Sequence, residues 1–448
     1  MRLFIIVWLG QLVSLLGSGL TIYGLDIWIY QHTGSITQYT ILYLFTTLPL
    51  VLVSPLAGTL VDCWNRRWAM ILSDSGAAVI TLCLGYLLVT QRLELWHIYP
   101  LVTISSIFNA FQSPAYSAAT TQLVSKEYLD RASGLTQLAL AVSQIVSPTL
   151  AAFLLGAIQL QGIILIDLAT FFFSLIVLLL VRFPEVQIVV DSEAEPSSLL
   201  RDTALGWSYL TARPGLLGLV LFRATIAVFW RFANVLITPA ILSFSTVTSL
   251  GIIGSVNGIG LVVGSLIVAI WEGPKRKMST ILGFMLLCGF SMILWGLRPS
   301  VLLLCIGSFI FYIGRSIAVS SIRVILQKKV ALDYQGRIFG LQNALTQSAL
   351  PIAAVGAGPL ADRIFEPLMN TDSFLATSAG LIIGVGPGRG IGLLFIILGI
   401  LVVFTTVLAY LYPRLRRLED ELPDIVSDRV SSTTDETLTI TEQVVNTI

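Results

Sequence analysis

Apolar runs of bilayer length, one after another, constrain this chain more than any other feature. About 20 consecutive apolar residues cross the hydrocarbon core as a helix. Inside lipid only helices and closed barrels satisfy every backbone hydrogen bond. Twelve spans are read, at 3–30, 37–62, 69–90, 97–120, 133–157, 162–182, 214–242, 246–271, 279–297, 301–326, 338–361 and 391–412. The chain is 56% hydrophobic and only 11% charged over 448 residues, against about 25% charged in soluble globular proteins. So few charges cannot solvate a water-soluble surface of this size. The expected fold class is an all-α membrane protein with twelve transmembrane helices. The apolar run after Met1-Arg2 is too long for a signal peptide and lacks a small-residue cleavage site, so it is read as the first span. A net charge of +1 argues against a nucleic-acid partner. Cys63, Cys83, Cys288 and Cys305 lie in or beside apolar runs with neither metal nor disulfide spacing.

Basic residues choose the orientation. The loops after spans 2, 4, 8 and 10 carry Arg66, Arg67, Lys126, Arg131, Lys275, Arg276, Lys277, Lys328, Lys329 and Arg337. The termini and central stretch add Arg2, Arg182, Arg201, Arg213, Arg414, Arg416, Arg417 and Arg429, making 18. The opposite side holds 4, at Arg92, Arg298, Arg363 and Arg389. The positive-inside rule then places both termini in the cytoplasm. Residues 1–182 form a predicted N-terminal six-helix bundle and 214–412 a C-terminal one. Residues 183–213 read as a cytoplasmic linker with an amphipathic piece from Leu199 to Leu210. The stretch 362–390 reads as a long outer loop ending in a glycine-rich run, and 413–448 as a disordered, Ser- and Thr-rich tail.

The two halves repeat each other. Ile107-Phe108-Asn109-Ala110-Phe111-Gln112-Ser113 in span 4 matches Ile310-Phe311-Tyr312-Ile313-Gly314-Arg315-Ser316 in span 10, and Arg131-Ala132-Ser133-Gly134-Leu135 matches Arg337-Ile338-Phe339-Gly340-Leu341. At the span 2–3 loop stands Pro55-Leu56-Ala57-Gly58-Thr59-Leu60-Val61-Asp62-Cys63-Trp64-Asn65-Arg66-Arg67. There Gly58 permits close helix approach. Asp62 can accept hydrogen bonds from a helix N-terminus. Arg66 and Arg67 can bond carbonyls or carboxylates such as Asp74. Asp62, Arg66, Arg67 and Asp74 are expected to form a cytoplasmic charge cluster that locks one conformation.

This loop resembles the signature of the major facilitator superfamily, and two parallel six-helix repeats are that superfamily's architecture. The resemblance implies two pseudo-symmetric six-helix bundles. Span 5 adds Gly134, Ser143, Ser147, Pro148, Ala151 and Ala152 at the spacing of the exporters' antiporter motif, whose small positions are usually glycines. Span 8 answers with Gly254, Gly258, Gly260 and Gly264, so spans 5 and 8 are expected to pack closely; generic helix packing is the competing reading. Gln11-Leu12-Val13-Ser14-Leu15-Leu16-Gly17-Ser18, Tyr30-Gln31-His32-Thr33-Gly34-Ser35 and Gly206-Trp207-Ser208-Tyr209-Leu210 are similar to the macrolide-efflux and enterobactin-exporter branch. Drug or siderophore export from a prokaryotic cytoplasmic membrane is what that resemblance implies. The chain is expected to act as a monomer with no cofactor.

Polar and charged residues inside spans are costly and mark bundle interiors or aqueous cavities. In span 1, Gln11, Ser14, Ser18 and Thr21 recur at intervals that share one helix face. Asp26 follows Ser18 by eight residues and flanks that face, rotated by roughly 80°. Span 7 carries Arg223, Arg231, Asn234 and Thr238; span 10 carries Arg315, and span 4 has Asn109 and Gln112 around the matching position. The resemblance implies that spans 1, 4, 7 and 10 line a central substrate cavity. Asp26 is the expected proton carrier, chosen over Asp167 because span 1 lines that cavity; a purely structural Asp26 is the alternative. Arg231 or Arg315 is expected to help bind substrate, although Asp26 lies roughly 10 Å further out than Arg231 by span midpoints. Arg223, Arg231 and Arg315 exceed the acids available to neutralise them, which suits an anionic or zwitterionic solute.

Other motifs carry no chemistry. Gly258 to Gly264 follows no strand, so helix packing explains it better than a nucleotide loop. Gly384 to Gly390 reads as a turn into span 12. His32 and His97 are single residues near span ends, with no nucleophile, paired-carboxylate or metal constellation around them. An enzyme is therefore not expected. A proton-driven secondary transporter of a small solute competes with a lipid flippase or non-transporting sensor on the same fold.

Overall fold

In the computed structural model, residues 1–125, 128–181, 199–270, 276–369 and 380–422 are described. The long helices are α1 (Arg2–Thr33), α2 (Ile36–Cys63), α3 (Arg66–Val89), α4 (Leu95–Leu123) and α5 (Leu129–Leu180). After the linker helix α6 (Leu199–Thr211) come α7 (Pro214–Leu242), α8 (Val247–Ile270), α9 (Lys277–Leu297), α10 (Val301–Lys329), α11 (Leu332–Gln347), α12 (Ala349–Leu360) and α13 (Arg389–Leu411). Ten helices among the described residues are long and apolar enough to cross a membrane, α11 and α12 counting together as one. Another of them is α5, which breaks at Gln159 (φ 58°, ψ −176°) into two arms. The remaining long helix is α4, which carries Pro100, Pro114, Asn109 and Gln112. With the arms of α5 separated and α4 added, the described helices give twelve rods.

Helix ends are set by local chemistry. Ser35 caps α2 by accepting from the Gln38 amide at 3.3 Å, and Gly34 closes α1 at φ 63°. Asn65 caps α3 through the Arg67 and Trp68 amides. His97, a single residue near a span end in the sequence, completes a capping box with Glu94 at the start of α4. Each device satisfies backbone groups that a helix end leaves open.

The α1 helix lies along both arms of α5, α2 and α3 pack on α4, and α9 sits between α10 and α13. Two seams join the halves: α5 with α8, and α2 with α12. Close packing of small residues holds such seams where lipid removes any hydrophobic gain from helix association. At the first seam Gly251, Gly254 and Gly258 face Ala152 with Phe153, Thr149 and Ile145, with no room for a methyl at Gly258. Two sequence expectations change here. Gly260 and Gly264 face Phe309 and Ile313 of α10, not span 5. Ser143 and Ser147 turn toward α1, donating to the Leu15 and Leu16 carbonyls at 3.3 Å each. Hydroxyls and glycines of one motif thus serve different neighbours, because two residues along a helix already turn the side chain by about 200°. Pro148 lies within α5, and Gly134 faces open space.

Two stretches read as loop or tail are more ordered than composition suggests. After α12 the helix continues through a π turn, Ala361–Phe365, to Leu368. Glu366 then accepts from the Gly388 and Ile391 amides at 3.2 and 3.3 Å, capping the start of α13 across the loop. Beyond Tyr412, Leu415 and Leu418 are buried, and Glu419 caps α9 through the Lys277 and Met278 amides at 3.0 and 2.8 Å. Lys329 donates to the Glu419 carbonyl at 2.8 Å and Arg276 pairs with Asp420 at 3.5 Å. Low hydropathy hid these two caps, which need only one carboxylate each. The expected disorder of the remaining tail, 423–448, and the linker stretch 183–198 lie outside the described residues. In α6, Tyr209 stacks on Tyr334 at 4.6 Å and accepts from the Ala331 amide, docking the amphipathic helix on α11.

Candidate functional site

The polar face of α1 points into the N-terminal half. Gln11 donates to Asp74 Oδ2 at 3.0 Å and to Ser174 Oγ at 2.9 Å, and accepts from Gln112 at 2.7 Å. One layer further along, Ser18 donates to Asp167 Oδ1 at 3.2 Å, while Thr21 and Thr81 donate to Oδ2 at 2.8 and 3.3 Å. Gln11, Ser18, Asp74, Thr81, Gln112 and Asp167 line one cavity of about 80 Å³ between α1, α3, α4 and the second arm of α5. Gln11, Ser18, Thr21 and Gln112 therefore serve the interior of one half, not the face toward the other half that the sequence reading assigned them. Asn109 borders the same cavity and is itself exposed.

Asp167 is the residue the sequence reading set aside. Its signal was present: the intervals of Ser18 and Thr21 on α1 match one carboxylate reached by two hydroxyls. Asp74 is likewise moved. Its hydrogen bond comes from Gln11, while Arg67 donates to the Leu178 and Leu179 carbonyls at 2.9 and 2.7 Å and Arg66 to the Ala118 carbonyl at 3.3 Å. The expected charge cluster therefore loses Asp74; Arg67 caps the last carbonyls of α5, where its charge suits the helix dipole, and Arg66 reaches a carbonyl five residues before the end of α4. The surroundings of Gly58 and Asp62 lie outside the described residues.

Asp26 is buried at 3% exposure and accepts one hydrogen bond, from Tyr43 at 3.1 Å. Tyr43 in turn bonds Tyr39 at 3.2 Å. A short line of side chains thus runs from Asp26 through α2, a helix that itself touches α7 of the other half.

On the other side of that line are the guanidinium groups. Arg231 donates to Gln347 Oε1 at 2.8 Å. Arg223 and Arg315 lie over the Trp230 ring, with Cζ 5.3 and 5.6 Å from its centroid. Asn234 lies on the same helix, one turn beyond Trp230. No Asp or Glu occurs in α7, α8, α9, α10 or α13, so three neighbouring cations share a wall without a carboxylate. Such a wall can hold an anion; it supplies neither a nucleophile nor a general base. Among the described residues no group of three or more His, Cys, Asp or Glu could hold a metal ion.

A second missed residue is Asp362, beyond α12. It accepts from Ser35 Oγ at 3.1 Å, the Ile36 amide at 3.2 Å, and the Thr37 amide and hydroxyl at 2.7 Å each. Its carboxylate caps the N-terminus of α2 in the opposite half, where the helix dipole favours an anion. Beside it Gly358 meets Thr37 and Thr40 with no space for a side chain. The signal was Gly358-Pro359-Leu360-Ala361-Asp362, which repeats the Gly-x-Leu-x-Asp spacing of Gly58 to Asp62.

The fold and relatives agree. The chain is similar to macrolide efflux protein A of Streptococcus pyogenes, 28% identical over 376 residues, covering 81% of this chain and 90% of that protein. It is 23% identical over 355 residues to the multidrug efflux pump Tap of Mycolicibacterium fortuitum, covering 77% and 86%. Among solved structures, the nucleoside transporter NupG superposes with a TM-score of 0.65 at 12% identity, covering 91% of this chain and 99% of that one. A bacterial homologue of the human lysosomal transporter Spinster gives 0.69 at 13% identity, covering 94% and 98%. The profile of the Major Facilitator Superfamily matches residues 7–355, and the chain belongs to that family of membrane transporters.

Proposed function

We propose that this protein is a proton-coupled exporter of a small drug-like or siderophore-like amphiphile, working by alternating access in a prokaryotic cytoplasmic membrane with both termini inside. The observation that carries the reading is an opposition of charge. The N-terminal half buries Asp26, Asp74 and Asp167 among neutral donors, and the C-terminal half holds Arg223, Arg231 and Arg315 without an acid in the helices that carry them. Efflux pumps among the relatives support the direction of transport.

Asp26 is the proton carrier in this scheme. Among the described residues Asp26 accepts from Tyr43, Asp167 from three hydroxyls, and Asp74 from Gln11, which is itself bound to Ser174 and Gln112. Proton binding at Asp26 therefore disturbs a smaller network than at Asp167 or Asp74. It also lies on the side-chain line through Tyr43 and Tyr39 of α2, a helix that packs on α12 and touches α7 of the other half, so a change of charge there is felt by both halves. In the proposed orientation the Asp362 clasp lies at the extracellular end and must break when that end opens.

The test is transport in proteoliposomes under an imposed pH gradient. Asp26→Asn is expected to lose gradient-driven accumulation while keeping substrate exchange at equal pH. Full accumulation by that variant would return Asp26 to a structural role.

A further inference from the structure

The C-terminal half holds buried hydrogen-bond donors that meet no acceptor. Arg223 Nη1 and Trp230 Nε1 are both buried without a partner among the described residues. They sit seven residues apart on α7, two turns along one face. Arg223 and Arg315 flank the same indole ring, at 5.3 and 5.6 Å from its centroid. Trp230 itself is only 7% exposed. Buried donors are almost always satisfied, and an unpaired one signals a missing partner. The partner has to be an acceptor, because guanidinium and indole groups only donate. It also has to be negative, because Arg223, Arg231 and Arg315 lie within each other's field and no acid stands in α7 to α10. Planar guanidinium forks match the two oxygens of a carboxylate or phosphate.

The surroundings say more about the ligand. Trp230 meets Phe311 edge-on at 5.4 Å, and Phe311 lies 4.9 Å from Trp295. The donors therefore stand among buried aromatic rings, which suits a flat apolar body rather than a small inorganic ion.

We propose that Arg223, Arg315 and the Trp230 indole N–H form an oxyanion pocket that takes the carboxylate of an aromatic or flat-ringed acidic amphiphile. The proposal deepens the transport reading by naming the substrate class. It rests on that reading only for the ligand's being cargo, and it is independent of proton coupling. Arg231, already spent in part on Gln347, contributes field more than contact.

The experiment is equilibrium binding to the purified full-length protein in detergent at a single pH, with no gradient. The probes are 1-naphthoate, its uncharged counterpart 1-naphthalenemethanol, and inorganic phosphate. Charge-assisted hydrogen bonds in a dry site should favour naphthoate over the alcohol by about 10-fold or more. Arg223→Gln and Arg315→Gln should each cut that preference to about 2-fold or less and leave the alcohol's affinity unchanged. Trp230→Phe, which keeps the ring and removes the N–H, should cost naphthoate about 3-fold. Arg323→Gln, an exposed position on α10, should change nothing. Should either glutamine variant fail to fold, Arg315→Lys keeps the charge and should lose part of the preference. Equal affinity for acid and alcohol, no naphthoate binding at millimolar concentration, or a preference that survives the arginine substitutions overturns the proposal. Phosphate binding as tightly as naphthoate also overturns it, since the site would then serve free anions and not an amphiphile. Loss of coupling in Asp26→Asn is read in a different assay, so either idea can fail alone.

Discussion

The two halves of this transporter bury opposite charges, and they treat those charges differently. In the N-terminal half Asp26, Asp74 and Asp167 all have hydroxyl or amide donors: Tyr43 for Asp26, Gln11 for Asp74, and Ser18, Thr21 and Thr81 for Asp167. In the C-terminal half the guanidinium groups of Arg223 and Arg315 lean on Trp230, and the buried Arg223 Nη1 finds no acceptor among the described residues. A satisfied polar network rigidifies a bundle, whereas an unsatisfied one is costly unless a ligand completes it. The comparison teaches that repeats of one architecture have divided the labour. One half meets its buried carboxylates with its own donors, and the other leaves a buried guanidinium donor without an acceptor among the described residues.

Cutting the clasp between the halves should have the largest structural effect. Asp362 gives one carboxylate to four donors on α2 and its cap. Asp362→Ala should raise the reactivity of a cysteine placed at Thr37 by about 10- to 100-fold, the equivalent of one charge-assisted hydrogen bond. Unchanged labelling would mean that the α2–α12 seam holds closed by packing alone.

A substitution within the acidic core separates Asp167 from Asp26. Asp167→Asn should lower thermal stability in detergent by about 1–3 kcal/mol, because three hydroxyls lose a full acceptor in a buried site. Gradient-driven transport by the folded protein should survive. A collapse of accumulation matching that of Asp26→Asn would show that the proton is shared between the two carboxylates.

The smallest effect is expected where α1 meets α5. Ser147→Ala removes a hydrogen bond to the Leu16 carbonyl that is already long at 3.3 Å. It should cost about 0.5–1 kcal/mol in unfolding and leave transport unchanged. A transport defect there would make the serine part of the moving machinery and blur the contrast between a rigid acidic half and a receptive basic one.

The sequence by itself determined the rods and much of what lies along them. Hydropathy and the 3.6-residue period are local properties, so the limits of α7 at Pro214–Leu242 and the polar face Gln11, Ser14, Ser18, Thr21 could be read directly. The excess of arginine in the second half was legible for the same reason. Only the tertiary structure decided which carboxylate that polar face would meet. Asp167 stands 149 residues from Ser18 and Asp74 stands 63 from Gln11, and their meeting depends on the rotation and depth of α3 and of the second arm of α5. Asp362 joins Ser35 across 327 residues, a bond that exists because two halves close at one end. Periodicity tells which face of a helix is polar; the partner of that face is fixed by how the helices are turned against each other, and no single helix carries that information.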